Sequence, residues 1–165
     1  RDAILAVSGV LNNQIGGPGF YLFKLEKTAH SPHYEYHKFD PADPKSHRRS
    51  VYRFIARSQP DPFMTTLDCA DSSQSTPKRD ETLTALQALS LLNNKFTLHM
   101  ANRFASRIEK ESKTLRGRIR RAHQLTTGRP PRPEEMVALE GYAQKHGLPN
   151  LCRVLFNLSE TTYLD

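Results

Sequence analysis

Phe96, Met100, Phe104 and Ile108 recur every four residues, and this spacing lines four large apolar side chains along one stripe of an α-helix running to about Glu111. A helix with such a stripe draws most of its stability from whatever covers it, so the residues around it must supply further helices. They do. Thr84 is placed to cap a helix over 85–92, and Leu115 to Thr127 forms another that Gly128 ends and Pro130-Pro131 keeps from continuing. Pro133, followed by Glu134 and Glu135, opens a fourth, in which proline at the first turn and two acids suit a helix N-terminus. His146-Gly147 closes it, and Leu148 to Asn157 carries Leu151, Val154, Leu155 and Leu158 on one side. The second half therefore reads as a helical bundle whose core holds Leu86, Leu89, Leu92, Phe96, Met100, Phe104, Ile119, Leu139, Leu151 and Leu155.

The first half is punctuated differently. Ile4, Leu5, Val7, Val10 and Leu11 follow helical spacing, and Asn12-Asn13 with Gly16-Gly17-Pro18-Gly19 are expected to stop that helix. The helical pattern is under way from Arg1 with no capping residue ahead of it, so the chain reads as a fragment of something longer. Phe20 to Phe23 reads as a short strand, and so does the run holding Val51, Tyr52, Phe54 and Ile55, which is rich in β-branched and aromatic side chains. Residues 28–46 read as an irregular stretch anchored by Tyr34, Tyr36 and Phe39, with Gln59-Pro60-Asp61-Pro62 as a stop and residues 65–82 as a second loop. The expected fold is mainly α: one domain over 1–165, a bundle over 83–165 with two short strands and long ordered loops over 1–82 packed on it. No run approaches the ~20 apolar residues of a membrane span and no signal-peptide pattern is present, so the chain as given is expected to be soluble.

The chain has 24 Lys and Arg against 17 Asp and Glu, a formal charge of +7. The excess is local. Residues 115–132 hold six bases and no acid, whereas 133–165 hold two bases and five acids. Arg116, Arg118, Arg120 and Arg121, with Arg129 and Arg132 beyond them, form a candidate anion-binding block, since guanidinium forks match phosphate, sulfate and carboxylate. Part of this block is expected to pair with Glu134, Glu135 and Glu140. Interleaved aromatics and a helix-turn-helix pattern are lacking, which disfavours nucleic acid; lipid headgroups and acidic polysaccharide stay open as polyanions, since the sign of the charge alone cannot choose between them.

Cys69 and Cys152 lie too far apart for a CxxC pair and are expected to be unbridged, acting as small hydrophobes. His30, His33, Glu35 and His37 have ligand chemistry but no ligand spacing, with Pro32 among them, so no metal is assigned. Asp40-Pro-Ala-Asp43 reads as turn chemistry. The loop Leu67-Asp68-Cys69-Ala70-Asp71, with Lys78 and Arg79 after it and Arg48 and Arg49 before it, gathers the charges best suited to a functional or structural cluster: Arg48, Arg49, Asp68, Asp71 and Arg79. The structural version expects Arg49 or Arg79 to bond Asp68 or Asp71, so that the side chains satisfy loop backbone.

Gly16-Gly-Pro-Gly-Phe20, Arg48-Arg-Ser-Val-Tyr-Arg53, Leu67-Asp-Cys-Ala-Asp71, Pro77-Lys-Arg79, the run TLTALQALSLLNN over 82–94 and Leu151-Cys-Arg-Val-Leu-Phe-Asn157 occur in order along the chain. In these the sequence resembles the domain of unknown function 1553. The resemblance runs over essentially the whole chain and covers the C-terminal part of a longer family domain. It departs at Leu67, Ala70 and Ala85, which read as packing variants. The resemblance implies a large exported protein of planctomycetes or related bacteria, periplasmic or on the cell surface, often with a c-type cytochrome domain upstream. The haem motif is missing from this chain, so no cofactor is carried over. The family has no established activity. Two functions stay open: a non-catalytic scaffold or interaction module serving upstream domains or an acidic polysaccharide, and part of an enzyme, in redox or polysaccharide chemistry, with a site at Asp68, Asp71 and Arg79.

Overall fold

The structure is a computed structural model that describes residues 1–27, 31–70, 75, 77, 78, 82 and 84–162. Its helices and strands, in chain order, are α1 (Asp2–Val7), β1 (Lys24–Lys27), β2 (Pro32–Glu35), α2 (Pro62–Thr66), α3 (Ala85–Asn93), α4 (Lys95–Glu111), α5 (Leu115–Thr127), α6 (Pro133–His146), α7 (Leu148–Leu155) and α8 (Ser159–Thr162). The fold is mainly α with a minor β component, as the sequence indicates. The chain forms two compact units, one of residues 1–11 with 91–165 and one of residues 12–90. Among the described residues no helix is long and apolar enough to cross a membrane.

In the helical unit, α4 packs on α1, α5 and α7, while α5 and α6 pack on each other and each packs on α7. The four-residue stripe is the reason: Phe96, Met100, Phe104 and Ile108 are all buried, and Phe104 stacks on Phe156 with ring centroids 5.6 Å apart. Ile119, Leu151, Cys152 and Leu155 complete this core with no exposed surface. The ends follow local chemistry. Asn94 Oδ1 accepts from the Phe96 amide at 2.9 Å, Thr114 Oγ1 accepts from the Gly117 amide at 3.1 Å, and Gly128 ends α5 in the left-handed region. Glu135 Oε2 reaches back to the Arg132 amide at 2.6 Å, fixing the start of α6.

Four residues of the expected core are corrected. Leu86 and Leu89 are 64% and 54% exposed, and Leu92 and Leu139 are only half-buried. In α3 the face turned inward carries Gln87 and Leu91 instead. Apolar periodicity in a helix with Ala and Leu on every side cannot choose a face, and here the inward face carries a hydrogen-bonding glutamine. The first helix is also shorter than its apolar spacing suggests. Gly9 adopts φ +74°, and the amides of Gly9 and Val10 bond back to the carbonyls of Ala6 and Leu5, a helix-ending arrangement that leaves Val10 and Leu11 outside α1. The last helix ends at Leu155 rather than Asn157, and the short α8 follows.

The 12–90 unit departs furthest from expectation. Residues 20–23 make an isolated parallel bridge, Phe20 to Arg53, and the strand is the next segment, β1, paired antiparallel with β2 from Lys24↔Glu35 to Lys27↔Pro32. All four β1 residues are exposed, so no alternation of apolar and polar residues marks it. The expected strand near residue 52 is a tight turn, in which the Arg53 amide bonds to the Ser50 carbonyl at 3.1 Å, and Val51, Phe54 and Ile55 stay exposed. Asp61-Pro62, expected as a stop, begins α2: Asp61 Oδ1 accepts from the Phe63 amide at 3.0 Å and proline takes the first turn. Tyr34 and Tyr36 do anchor the stretch after β1, packing edge-on against buried Phe23 at 4.9 and 5.3 Å.

Candidate functional site

Asp68 sits just past α2 with φ +54°, a left-handed conformation that aspartate tolerates better than most residues. Its carboxylate accepts from the Thr82 amide at 2.8 Å, the Thr82 hydroxyl at 2.8 Å and Gln87 Nε2 at 2.9 Å. The Thr82 amide first, then the Thr82 hydroxyl and the Gln87 amide, hold the carboxyl below its ordinary range. Gln87 and Thr84 cap one another, with Thr84 Oγ1 accepting from the Gln87 amide at 3.2 Å and Gln87 Oε1 from the Thr84 amide at 3.1 Å. Asp68 therefore anchors the approach to α3. Its partners among the described residues are a threonine and a glutamine, and Arg49 is not among them; the other expected contacts, through Asp71 or Arg79, fall on residues that are not described. Asp71 and Arg79 lie outside the described residues, as does His30.

Arg48 and Arg49 have opposite settings. Arg49 is exposed, whereas Arg48 is 7% exposed and lies over the Tyr52 ring at 4.5 Å. The Arg48 guanidinium donates to the Pro18 carbonyl at 2.5 Å, the Gln14 carbonyl at 3.4 Å and the Gly16 carbonyl. One buried cation thus gathers three backbone acceptors of the glycine-rich loop, a segment with few partners of its own. Arg53, absent from the sequence-derived set, donates to Cys69 Sγ at 3.1 Å. The two cysteines are free, and burial pushes the Cys152 thiol up to about 12.

The arginine block divides by task. Arg118 Nε donates to the Ser112 carbonyl at 3.0 Å and closes the turn between α4 and α5. Arg121 Nε donates to Glu111 Oε2 at 2.6 Å, and Arg107 holds the other oxygen of the same carboxylate at 2.7 Å. Arg116 stands 3.7 Å from Glu140 Oε2 with its side chain 62% exposed. Arg120 is exposed and has no hydrogen-bond or ion-pair partner among the described residues. The expected pairing with α6 is present at Glu140 and at Glu135. Arg129 grips Glu135 with two bonds of 2.7 and 2.8 Å and Glu160 with two of 2.8 and 2.9 Å, a contact with α8 that no sequence pattern announced.

Arg129, followed by the Arg132 amide, lowers Glu135 to about 2, and Arg129 also lowers Glu160. Depressed carboxylates contribute stability that is fully present above the unfolded value of roughly 4.3 and is lost as pH falls through the folded value. Glu135→Gln should therefore melt below the parent at neutral pH, and the gap should close between about pH 5 and about pH 2. A gap that stays constant over that range in thermal melts would remove the Arg129–Glu135 contact from the protein's acid response.

Elsewhere Glu35 Oε2 lies 3.0 Å from His37 Nδ1, and His33 stands opposite Glu26 in the hairpin register. Among the described residues no group of three or more His, Cys, Asp and Glu side chains is placed to hold a metal ion. Asp40 and Asp43 perform turn chemistry, their Oδ1 atoms accepting from the Ala42 and Lys45 amides at 2.9 and 3.0 Å. No curated protein and no solved structure matches the chain. A family model described as PSD1, protein of unknown function (DUF1553), matches residues 1–143. With that match over most of its length, joined to the ordered motifs that include the Arg48 loop clasp and the Asp68 anchor, the chain belongs to the DUF1553 family.

Proposed function

We propose that this chain is a non-catalytic scaffold or interaction module of an exported bacterial protein, which serves upstream domains of the same polypeptide and attracts polyanions such as acidic polysaccharide through α5. The observation that carries the reading is the division of labour among the arginines: Arg116 and Arg120 remain exposed on a helix with no acid, one loosely paired and the other uncommitted among the described residues. Closely spaced cations of this kind raise the local potential and attract polyanions without a shaped pocket. The scaffold part rests on Arg48 and Asp68, whose terminal guanidinium nitrogens and carboxylate oxygens go to loop carbonyls, an amide and neutral side chains, with no nucleophile and base paired beside them among the described residues. No cofactor is assigned to this chain on this reading.

Heparin chromatography tests it. The parent chain should be retained at low salt and elute early as salt rises, because exposed charges are screened over roughly 8 Å at physiological ionic strength. Arg116→Gln with Arg120→Gln should lose most of that retention, whereas Arg118 and Arg121 are poor targets because their substitution would disturb the α4–α5 turn and the Glu111 clamp. A parent chain that flows through, or a double variant that elutes with the parent, would sink the polyanion reading.

A further inference from the structure

Two acidic side chains face the arginines of α5, and they are held in different ways. Glu111 is clamped between Arg107 and Arg121 at 2.7 and 2.6 Å, with both of its oxygens engaged. Arg121, then Arg107, lowers its carboxyl below the ordinary range. Glu140, projecting from α6 with its own side chain 25% exposed, stands 3.7 Å from Arg116, beyond hydrogen-bond distance, and the Arg116 side chain is 62% exposed. The first is a fixed structural pair. The second is a loose counter-ion resting against one of the two arginines assigned above to polyanion capture. An exposed pair of this kind contributes little to stability, so an incoming sulfate or carboxylate competes for Arg116 at small cost. We infer that Glu140 is an internal competitor for the polyanion surface of α5, occupying Arg116 when no ligand is bound and setting how tightly the face binds. The inference rests on the polyanion reading of α5.

The device follows from where the charges fall along the chain. Residues 115–132 hold bases without acids, and the next segment, 133–165, is acidic on balance. Packing α6 beside α5 brings part of that negative charge against the basic block. Glu135 is drawn off by Arg129, and the Arg116 contact is left to Glu140. Arg120, one turn beyond Arg116, has no such competitor among the described residues and supplies the first contact. Full engagement then requires Arg116 to exchange an internal carboxylate for an external one.

The test uses the full chain, heparin as the probe, and dissociation constants measured across a salt series. Glu140→Gln should bind heparin about 2- to 5-fold tighter, the range expected from releasing an exposed ion pair, and its log–log salt dependence should steepen by about one counterion because Arg116 now joins the contact. Glu134→Gln removes the same charge from the same helix, at a residue with no ion pair among the described residues, and should leave the slope where it was. In an Arg116→Gln background, Glu140→Gln should give no more gain than Glu134→Gln gives. Equal gains and equal slopes for Glu140→Gln and Glu134→Gln would overturn the inference and leave the polyanion reading standing. If neither the parent nor Glu140→Gln binds heparin at low salt, the polyanion reading fails and takes the inference with it.

Discussion

Phe104→Ala is expected to destabilise the protein by about 3–5 kcal/mol, the range for emptying a fully enclosed phenylalanine site. Phe104 has no exposed surface and stacks on Phe156, itself 1% exposed, at the contact between α4 and α7. Removing the ring takes away both its burial and the aromatic pairing, and neighbours as tightly enclosed as Met100, Ile108 and Leu151 have little room to collapse inward. For a chain of this length the melting temperature should fall by roughly 10 °C. Phe104→Leu, which keeps much of the volume, should recover more than half of that loss. A melt for Phe104→Ala within about 2 °C of the parent would show that α4 does not organise the helical unit.

Arg48→Gln is expected to cost about 3 kcal/mol, because hydrogen bonds to a charged group are worth ~1.5–3 kcal/mol each and the buried guanidinium makes three of them to partly buried loop carbonyls. The effect should appear in two measurements. Chemical denaturation should report the loss of stability, and limited proteolysis should show faster cleavage in the Gly16-Gly17 segment, whose carbonyls and neighbours the guanidinium gathers. Arg48→Lys should restore less than half, since an ammonium keeps the charge but cannot spread planar donors over three acceptors or stack on Tyr52 in the same way. Parent-like stability together with parent-like proteolysis would show that the loop holds itself and that Arg48 is free for another task.

The helices of residues 94–155 were legible because their signals are local. Gly128 ends α5 within one turn, Pro133 with Glu134 and Glu135 opens α6, and the α4 stripe needs only the helical period to define its buried face. The bounds of α5 and α6 follow from those signals, and the caps that the structure adds at Asn94 and Thr114 are equally local. Other local signals are ambiguous. Asp61-Pro62 is equally a stop and a helix start, and the capping bond to Phe63 decides for the start. Gly9 lies within an apolar pattern that continues beyond it to Leu11, and its positive φ ends α1.

The candidate site divides in the same way. Charge clustered along the chain singles out Asp68 and the arginine block, and Arg48 stands in one of the ordered family motifs. The pairing of those charges is a long-range matter. Asp68 meets Thr82 and Gln87 across 14 and 19 residues, Arg48 meets Pro18 across 30, and Arg129 meets Glu160 across 31. The family, the mainly helical class and the bounds of α4, α5 and α6 are readable along the chain, because they depend on residue order and on contacts within one turn. Only the tertiary structure decided which face of α3 is buried, which arginines are structural and which stay exposed, and that β1 follows the aromatic run instead of coinciding with it. Each of those outcomes depends on which distant group arrives to satisfy a donor or cover an apolar face, and spacing along the chain carries no record of that arrival.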